Sequence, residues 1–325
     1  MKLFTKRLFL LPLFAILAIA IWLVAVPAYP QKLNDCRPQI VLPPQVTAIS
    51  GAGSIGNFKE CIGSKKRIIT RSQLTQQLAK AKIVYLGETH DSAEDHRLQL
   101  EIIGQLQKKN SKLAIALEMF QRPYQDAVND YLAGKIDEQE LLEKSEYKQR
   151  WGYPWQYYAP IVQFAKAKKL PVLALNTPTE ITRLVAKNGL DSLTPAQRKF
   201  IPPLAEIRTD NSDYRQLMLS IFQQHQADAN GASPDFEKFF QAQILWDETM
   251  AEGIAKFIRA NPNYQVVVLV GQGHIVYNYG IPSRVARRVK NLRLNQRSVL
   301  LSNDLEKKSD DNTPIADFIF LTESN

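Results

Sequence analysis

Two short strings carry residue types able to do chemistry: Gly87-Glu88-Thr89-His90 and Gly271-Gln272-Gly273-His274. Each directly follows an apolar run, Ile83-Val84-Tyr85-Leu86 in one case and Val266-Val267-Val268-Leu269-Val270 in the other. A histidine therefore stands just past the end of two separate strand candidates. In an open α/β sheet, ligands bind in the crevice at those carboxyl ends. Glu118 closes a third apolar run, and His96 follows His90 by one to two helical turns. Glu88, His90, His96, Glu118 and His274 thus form a candidate set of metal ligands, since imidazole and carboxylate are donors that hold zinc or a similar divalent ion. A carboxylate left over from ligation could act as general base to a metal-bound water; in that reading Glu88, His90, Glu118 and His274 are the catalytic groups. The competing reading makes the glutamates acceptors for loop amides and the histidines packing residues.

The elements that must position these groups alternate between strand and helix from about Gln73 onward. Strand candidates fall at 83–86, 113–118, 171–175, 266–270 and 297–302, with 318–321 as a further one; near-continuous apolar runs suit a parallel sheet covered on both faces. Between them lie helix patterns at 95–107, 124–132, 137–143, 158–168, 179–187, 213–225 and 235–258. In the first, Leu98, Ile102 and Leu106 share one face, and Thr179 is placed to cap the helix after Pro178. The expected fold class is α/β, a mostly parallel sheet covered by helices with a helical insertion or cap at about 137–261, all within one domain at 76–325. Residues 29–75, rich in Pro and Gly, read as an extended lead-in.

The first 28 residues read differently. Lys2, Lys6 and Arg7 precede an apolar run from Leu8 to Ala28 that ends Val26-Pro27-Ala28, the pattern of a signal peptide or an uncleaved signal anchor. The chain beyond it is then exported, periplasmic or on the outer side of the cytoplasmic membrane. The net charge of +9 falls to +6 without that segment, a mild excess that does not imply nucleic acid. Cys36 and Cys61 are the only cysteines, and in an oxidising compartment one disulfide is expected; Asp35 before Cys36 argues against lipidation there. Neither a Gly-x-Ser-x-Gly elbow nor a Gly-x-x-x-x-Gly-Lys loop occurs, which points away from a serine esterase and a nucleotide-driven enzyme.

Gly87-Glu88-Thr89-His90-Asp91, Ala116-Leu117-Glu118-Met119-Phe120, Trp151-Gly152-Tyr153-Pro154-Trp155, Ala174-Leu175-Asn176-Thr177-Pro178, the segment from Gln243 to Ala251, and Gly271-Gln272-Gly273-His274 occur in that order. Together they resemble the ChaN-like haem-binding uptake proteins, within the wider superfamily of Tiki metalloproteases and erythromycin esterase. The resemblance runs from about Lys82 to Gly280. It implies an α/β fold, export or lipoprotein anchoring, a role in haem or iron acquisition, and in some relatives metal-dependent hydrolysis. Haem, or an iron-containing small molecule, is the implied partner and cofactor, with a divalent metal ion under the hydrolase alternative; a homodimer could cover an apolar cleft.

Haem needs an apolar slot, an axial ligand and cations for its propionates. The resemblance suggests tyrosinate ligation, with candidates Tyr153, Tyr157 and Tyr158 and, just beyond His274, Tyr277 and Tyr279. Tyr158, Tyr277 and Tyr279 are taken as cofactor-binding residues, together with Arg284, Arg287 and Arg288, which fall at helical spacing and could hold propionates. Asn176 reads either as a crevice-lining or a turn residue, Trp246 as core, and Asp247 as a partner for a histidine.

Overall fold

A computed structural model describes residues 57–62, 65–227, 235–289, 294–301 and 314–321. The signal segment, most of the lead-in, Cys36 with its expected bridge to Cys61, and the side chain of His225 lie outside the described residues. The elements run β1 (Asn57–Ile62), β2 (Lys65–Ile69), α1 (Arg71–Leu78), β3 (Ile83–Glu88), α2 (Ala93–Lys109), β4 (Leu113–Gln121), α3 (Gln125–Leu132), α4 (Glu138–Lys144), α5 (Tyr147–Arg150) and α6 (Ala159–Ala167). They continue with β5 (Val172–Asn176), α7 (Thr179–Asn188), α8 (Ser212–Ala227), α9 (Phe236–Ala260), β6 (Gln265–Gly271), α10 (Ile281–Arg288), β7 (Gln296–Leu300) and β8 (Phe318–Leu321).

Eight strands form one sheet in the order β2-β1-β8-β7-β3-β6-β4-β5. From β8 to β5 every pairing is parallel, and β1 joins β2 and β8 antiparallel. The expected mostly parallel α/β sheet is what forms. Side chains alternate between its faces as strand geometry requires. Val84, Leu86, Ile115, Leu117, Val267 and Leu269 pack beneath α1–α6, while Ile83, Tyr85, Val266, Val268 and Val270 pack beneath α9 and α10. The chain leaves β3 into α2 on the first face and leaves β6 into α10 on the second. Adjacent parallel strands whose following helices take opposite faces open a crevice between their carboxyl ends, and Glu88 sits opposite Gly271 there.

Three sequence expectations need correction. Residues 57–75 are not merely extended: they form the β1–β2 hairpin and the start of α1, which Thr70 closes with a capping box. The hairpin's charges at Lys59, Glu60, Lys65, Lys66 and Arg67 hid its strand character, and charge is what an edge hairpin carries. The stretch 137–261 is not a helical insertion alone: the strand expected at 171–175 forms within it as β5 and pairs with β4 at the sheet edge. Thr179 is the first helical residue rather than the cap: Pro178 holds that position without a side-chain bond, and the Thr179 amide donates to Gln121 Oε1 at 3.2 Å.

Candidate functional site

Glu88 ends β3, buried at 1% exposure. Its Oε1 accepts from His90 Nδ1 at 2.8 Å and from the Tyr158 hydroxyl at 2.7 Å, and its Oε2 from Gln99 Nε2 at 2.6 Å. The turn between β3 and α2 is held from the helix side. Asp95 accepts from the Thr89 amide at 2.8 Å and from the Ser92 hydroxyl at 2.8 Å, while Ser92 caps α2. Burial pushes the Asp95 carboxyl up to about 6. His96 lies one turn into α2 with both ring nitrogens used, 3.1 Å from Gln99 Oε1 and 3.1 Å from the His90 carbonyl. It stacks on Tyr157, and its work is to fix the turn that presents His90.

On the neighbouring strands, Glu118 Oε2 accepts from the Gly271 amide at 2.7 Å, and its Oε1 stands 3.4 Å from His274 Nε2. His274 Nδ1 bonds Asp247 Oδ1 at 2.7 Å, and Asp247 Oδ2 accepts from the Tyr214 hydroxyl at 2.6 Å. Burial alone would lift the Glu118 carboxyl, but the charge and hydrogen bond of His274, with His90 behind them, hold it at about 2. Burial likewise opposes charge on His274, yet Glu118 and Asp247 raise it to about 10. Glu88 and His90 repeat the pattern: each is buried against its charge, and their mutual bond lowers the carboxyl and raises the imidazole.

Two glycines let these groups meet. A Cβ on Gly271 would stand 2.9 Å from His90 Nε2 and 3.8 Å from Glu118 Oε2, so both groups face the space that glycine leaves open. A Cβ on Gly280 would lie 2.1 Å from the His274 carbonyl oxygen, so only glycine allows the chain to double back beneath His274. The preceding turn carries Tyr277 and Asn278 at φ of 53° and 59°, a left-handed pair that directs the Tyr277 ring into the core.

The five sequence-predicted metal ligands are therefore brought to one crevice but not into one ligand set. They divide into Glu88–His90–His96 and Glu118–His274, and among the described residues no three His, Cys, Asp or Glu are disposed to hold a metal ion. The tyrosines separate as well. Tyr158 is fully buried and its hydroxyl is spent on Glu88. Tyr277 is buried and Tyr279 half-buried, their rings 5.4 Å apart. Tyr153 is half-buried beside the His90 ring at 4.9 Å, with Trp151 edge-on to the same ring at 4.9 Å. Arg284, Arg287 and Arg288 do not present a free basic face; all three turn onto the buried Glu248. Asn176 accepts from the Thr177 amide as a turn residue. Trp246 is half-buried and edge-on to His274. Asp247 partners His274, whereas Gln99 and Tyr214 went unnoticed because neither belongs to a motif. A cavity of about 290 Å³ lies among Phe58, Leu74, Leu98 and Ile102, and none of its lining residues belongs to the crevice.

Comparison with known proteins agrees with this fold. Residues 74–285 match the family model described as haem-binding uptake, Tiki superfamily, ChaN. The solved structure described as cofacial heme binding to ChaN of Campylobacter jejuni is 19% identical with a TM-score of 0.60, over 82% of this chain and 98% of that one. Protein RETICULATA-RELATED 5, chloroplastic, of Arabidopsis thaliana is 27% identical over 265 residues, 77% of this chain; the chain spans 35% of that relative's length.

Proposed function

The chain belongs to the haem-binding uptake family of ChaN in the Tiki superfamily, and from that premise we propose that it binds haem at the crevice between β3 and β6, as an exported protein of haem or iron uptake. The observation that carries the site is the half-buried aromatic rim of His90, Trp151 and Tyr153 at the carboxyl ends of the strands. An apolar macrocycle is held by such a surface, and its iron takes an axial imidazole or phenolate.

The rim supplies an axial ligand for that group. Tyr153 has its ring at the rim, whereas Tyr158 is committed to Glu88 and Tyr277 is packed in the core; Tyr153 is the axial candidate this rim favours. Glu88 holds the His90 ring by Nδ1, which leaves Nε2 over the open face of Gly271. Burial, with the charges of Asp91, Glu118 and Glu88 behind it, raises the Tyr153 phenol, so the phenol stays protonated until a cation replaces its proton. Export rests on the segment 1–28, and uptake on the family.

A second reading has an observation of its own. His90 and His274 each rest Nδ1 on a carboxylate, and such a contact orients an imidazole for proton transfer at its other nitrogen. Glu118 lies between them, so the crevice has the parts of an acid–base hydrolytic centre.

An absorbance titration of the full chain with haem, beside metal analysis of the untreated protein, tests the proposal. Haem binding gives a saturable Soret change at fixed stoichiometry. Stoichiometric zinc or manganese with only nonspecific haem association would contradict it.

A further inference from the structure

Glu248 lies on α9, one residue beyond Asp247, and is fully buried. Four contacts fill its carboxylate: the Arg208 amide at 3.1 Å, Arg287 Nη2 at 2.8 Å to one oxygen and 2.6 Å to the other, and Arg288 Nη1 at 2.5 Å. A carboxylate offers about four lone-pair sites, so no acceptor is left there for the remaining donors. Arg284 Nε stands 3.4 Å from it without a hydrogen bond, and Arg288 Nε and Nη2 have none at all. The Arg284 and Arg288 side chains are only 6% and 7% exposed, so water cannot freely take those donors.

Three guanidinium groups thus surround one buried carboxylate. Arg122, also near Arg288, is already paired with Glu252 at 2.7 Å and adds no negative charge. Burial, then the nearby cations Arg288, Arg208 and Arg284, pushes the Arg287 guanidinium down despite Glu248. The other carboxylate in reach is Glu206, which is 52% exposed and stops 3.6 Å from Arg288 Nη2, beyond hydrogen-bond distance. Its backbone carbonyl accepts from Arg287 Nη2 at 2.9 Å, which fixes the turn at the mouth of the cluster.

We propose that Arg284, Arg287 and Arg288 form a binding site for a dianionic phosphate group, and that the Glu206 carboxylate occupies the mouth of that site until the phosphate displaces it. With Glu206 displaced, three guanidinium groups against one carboxylate leave two cations uncompensated, which match a dianion, and its oxygens supply the acceptors that the buried N–H groups lack. The site is independent of the haem reading, since it lies on α9 and α10 and uses none of His90, Trp151 or Tyr153.

Isothermal titration of the full chain with inorganic phosphate, against chloride of matched ionic strength, tests this. One saturable phosphate per chain is expected. Glu206→Gln removes the competing charge and tightens binding about two- to fivefold, the worth of one half-exposed ion pair. Arg288→Gln weakens it about tenfold or more. Glycerol phosphate binding as well as inorganic phosphate would identify a phosphate monoester as the ligand class; inorganic phosphate alone would identify the free ion. Should Arg288→Gln fail to fold, Glu206→Gln still decides. Heats equal to those of chloride in both wild type and Glu206→Gln overturn the proposal. Displacement of bound phosphate by haem would also overturn it, by assigning the arginines to propionates.

Discussion

Glu118→Gln isolates the charge at the centre of the crevice. The amide keeps the size of the carboxylate and an oxygen for the Gly271 amide, so it removes little but the negative charge facing His274 Nε2 at 3.4 Å. Lowering a carboxyl from 4.5 to about 2 corresponds to ~3 kcal/mol of favourable interaction. The pH dependence has a definite sign. Glu118 is depressed in the folded state, so its contribution is present above 4.5 and is lost as pH falls through about 2. His274 is raised from 6.5 to about 10, so its contribution is complete below 6.5 and is lost as pH rises through 10. The two windows overlap between 4.5 and 6.5, where the variant is expected to be less stable by about 3 kcal/mol. The deficit narrows by about 2 kcal/mol at pH 3, one unit above the folded Glu118 value, and by a similar amount at pH 9, one unit below the folded His274 value, closing only above about 10. Urea unfolding at pH 3, 5.5 and 9 measures it without adding salt. A deficit independent of pH would mean that the group acts by packing, and the electrostatic account of the crevice would be wrong.

Gly271→Ala drives a methyl against His90 Nε2 and Cε1; it should displace the ring and weaken haem binding in an absorbance titration while costing about 1–3 kcal/mol of stability by urea unfolding. Gly280→Ala meets backbone instead of a side chain, and a loss of about 3 kcal/mol or failure to fold is expected in thermal melts. Tyr158→Phe removes one of three hydrogen bonds to Glu88 and should cost about 1–2 kcal/mol, yet leave the haem spectrum unchanged because the Tyr158 hydroxyl is buried on Glu88 rather than open at the rim.

The parallel sheet was legible because a strand buried on both faces is written as an unbroken apolar run, as in Val266–Val270. The long helices were legible from their spacing. The β1–β2 hairpin was not, since an edge hairpin carries charge and loses the apolar signal. The strand-end rule located Glu88, His90, Glu118 and His274, because histidine and glutamate just past buried strands are conspicuous. It could not show how they pair. Asp247 was legible as a partner for a histidine; its anchoring by Tyr214 from another helix, and the glycines whose missing side chains make the space, were not. The arginines of α10 misled for a related reason: helical spacing shows that they share a face but not that the face is turned onto Glu248. The tyrosine nearest His90 in space lies more than sixty residues away in sequence, and Tyr277, close to His274 in sequence, is buried.

The claim that haem seats on the rim of His90, Trp151 and Tyr153 is tested most directly by haem titration of the wild type and of His90→Ala combined with Tyr153→Phe, followed at the Soret band. The wild type should saturate at a fixed stoichiometry, and the double variant, still folded by circular dichroism, should lose the saturable band. An unchanged spectrum and affinity in the double variant would place haem elsewhere on the protein and contradict the account.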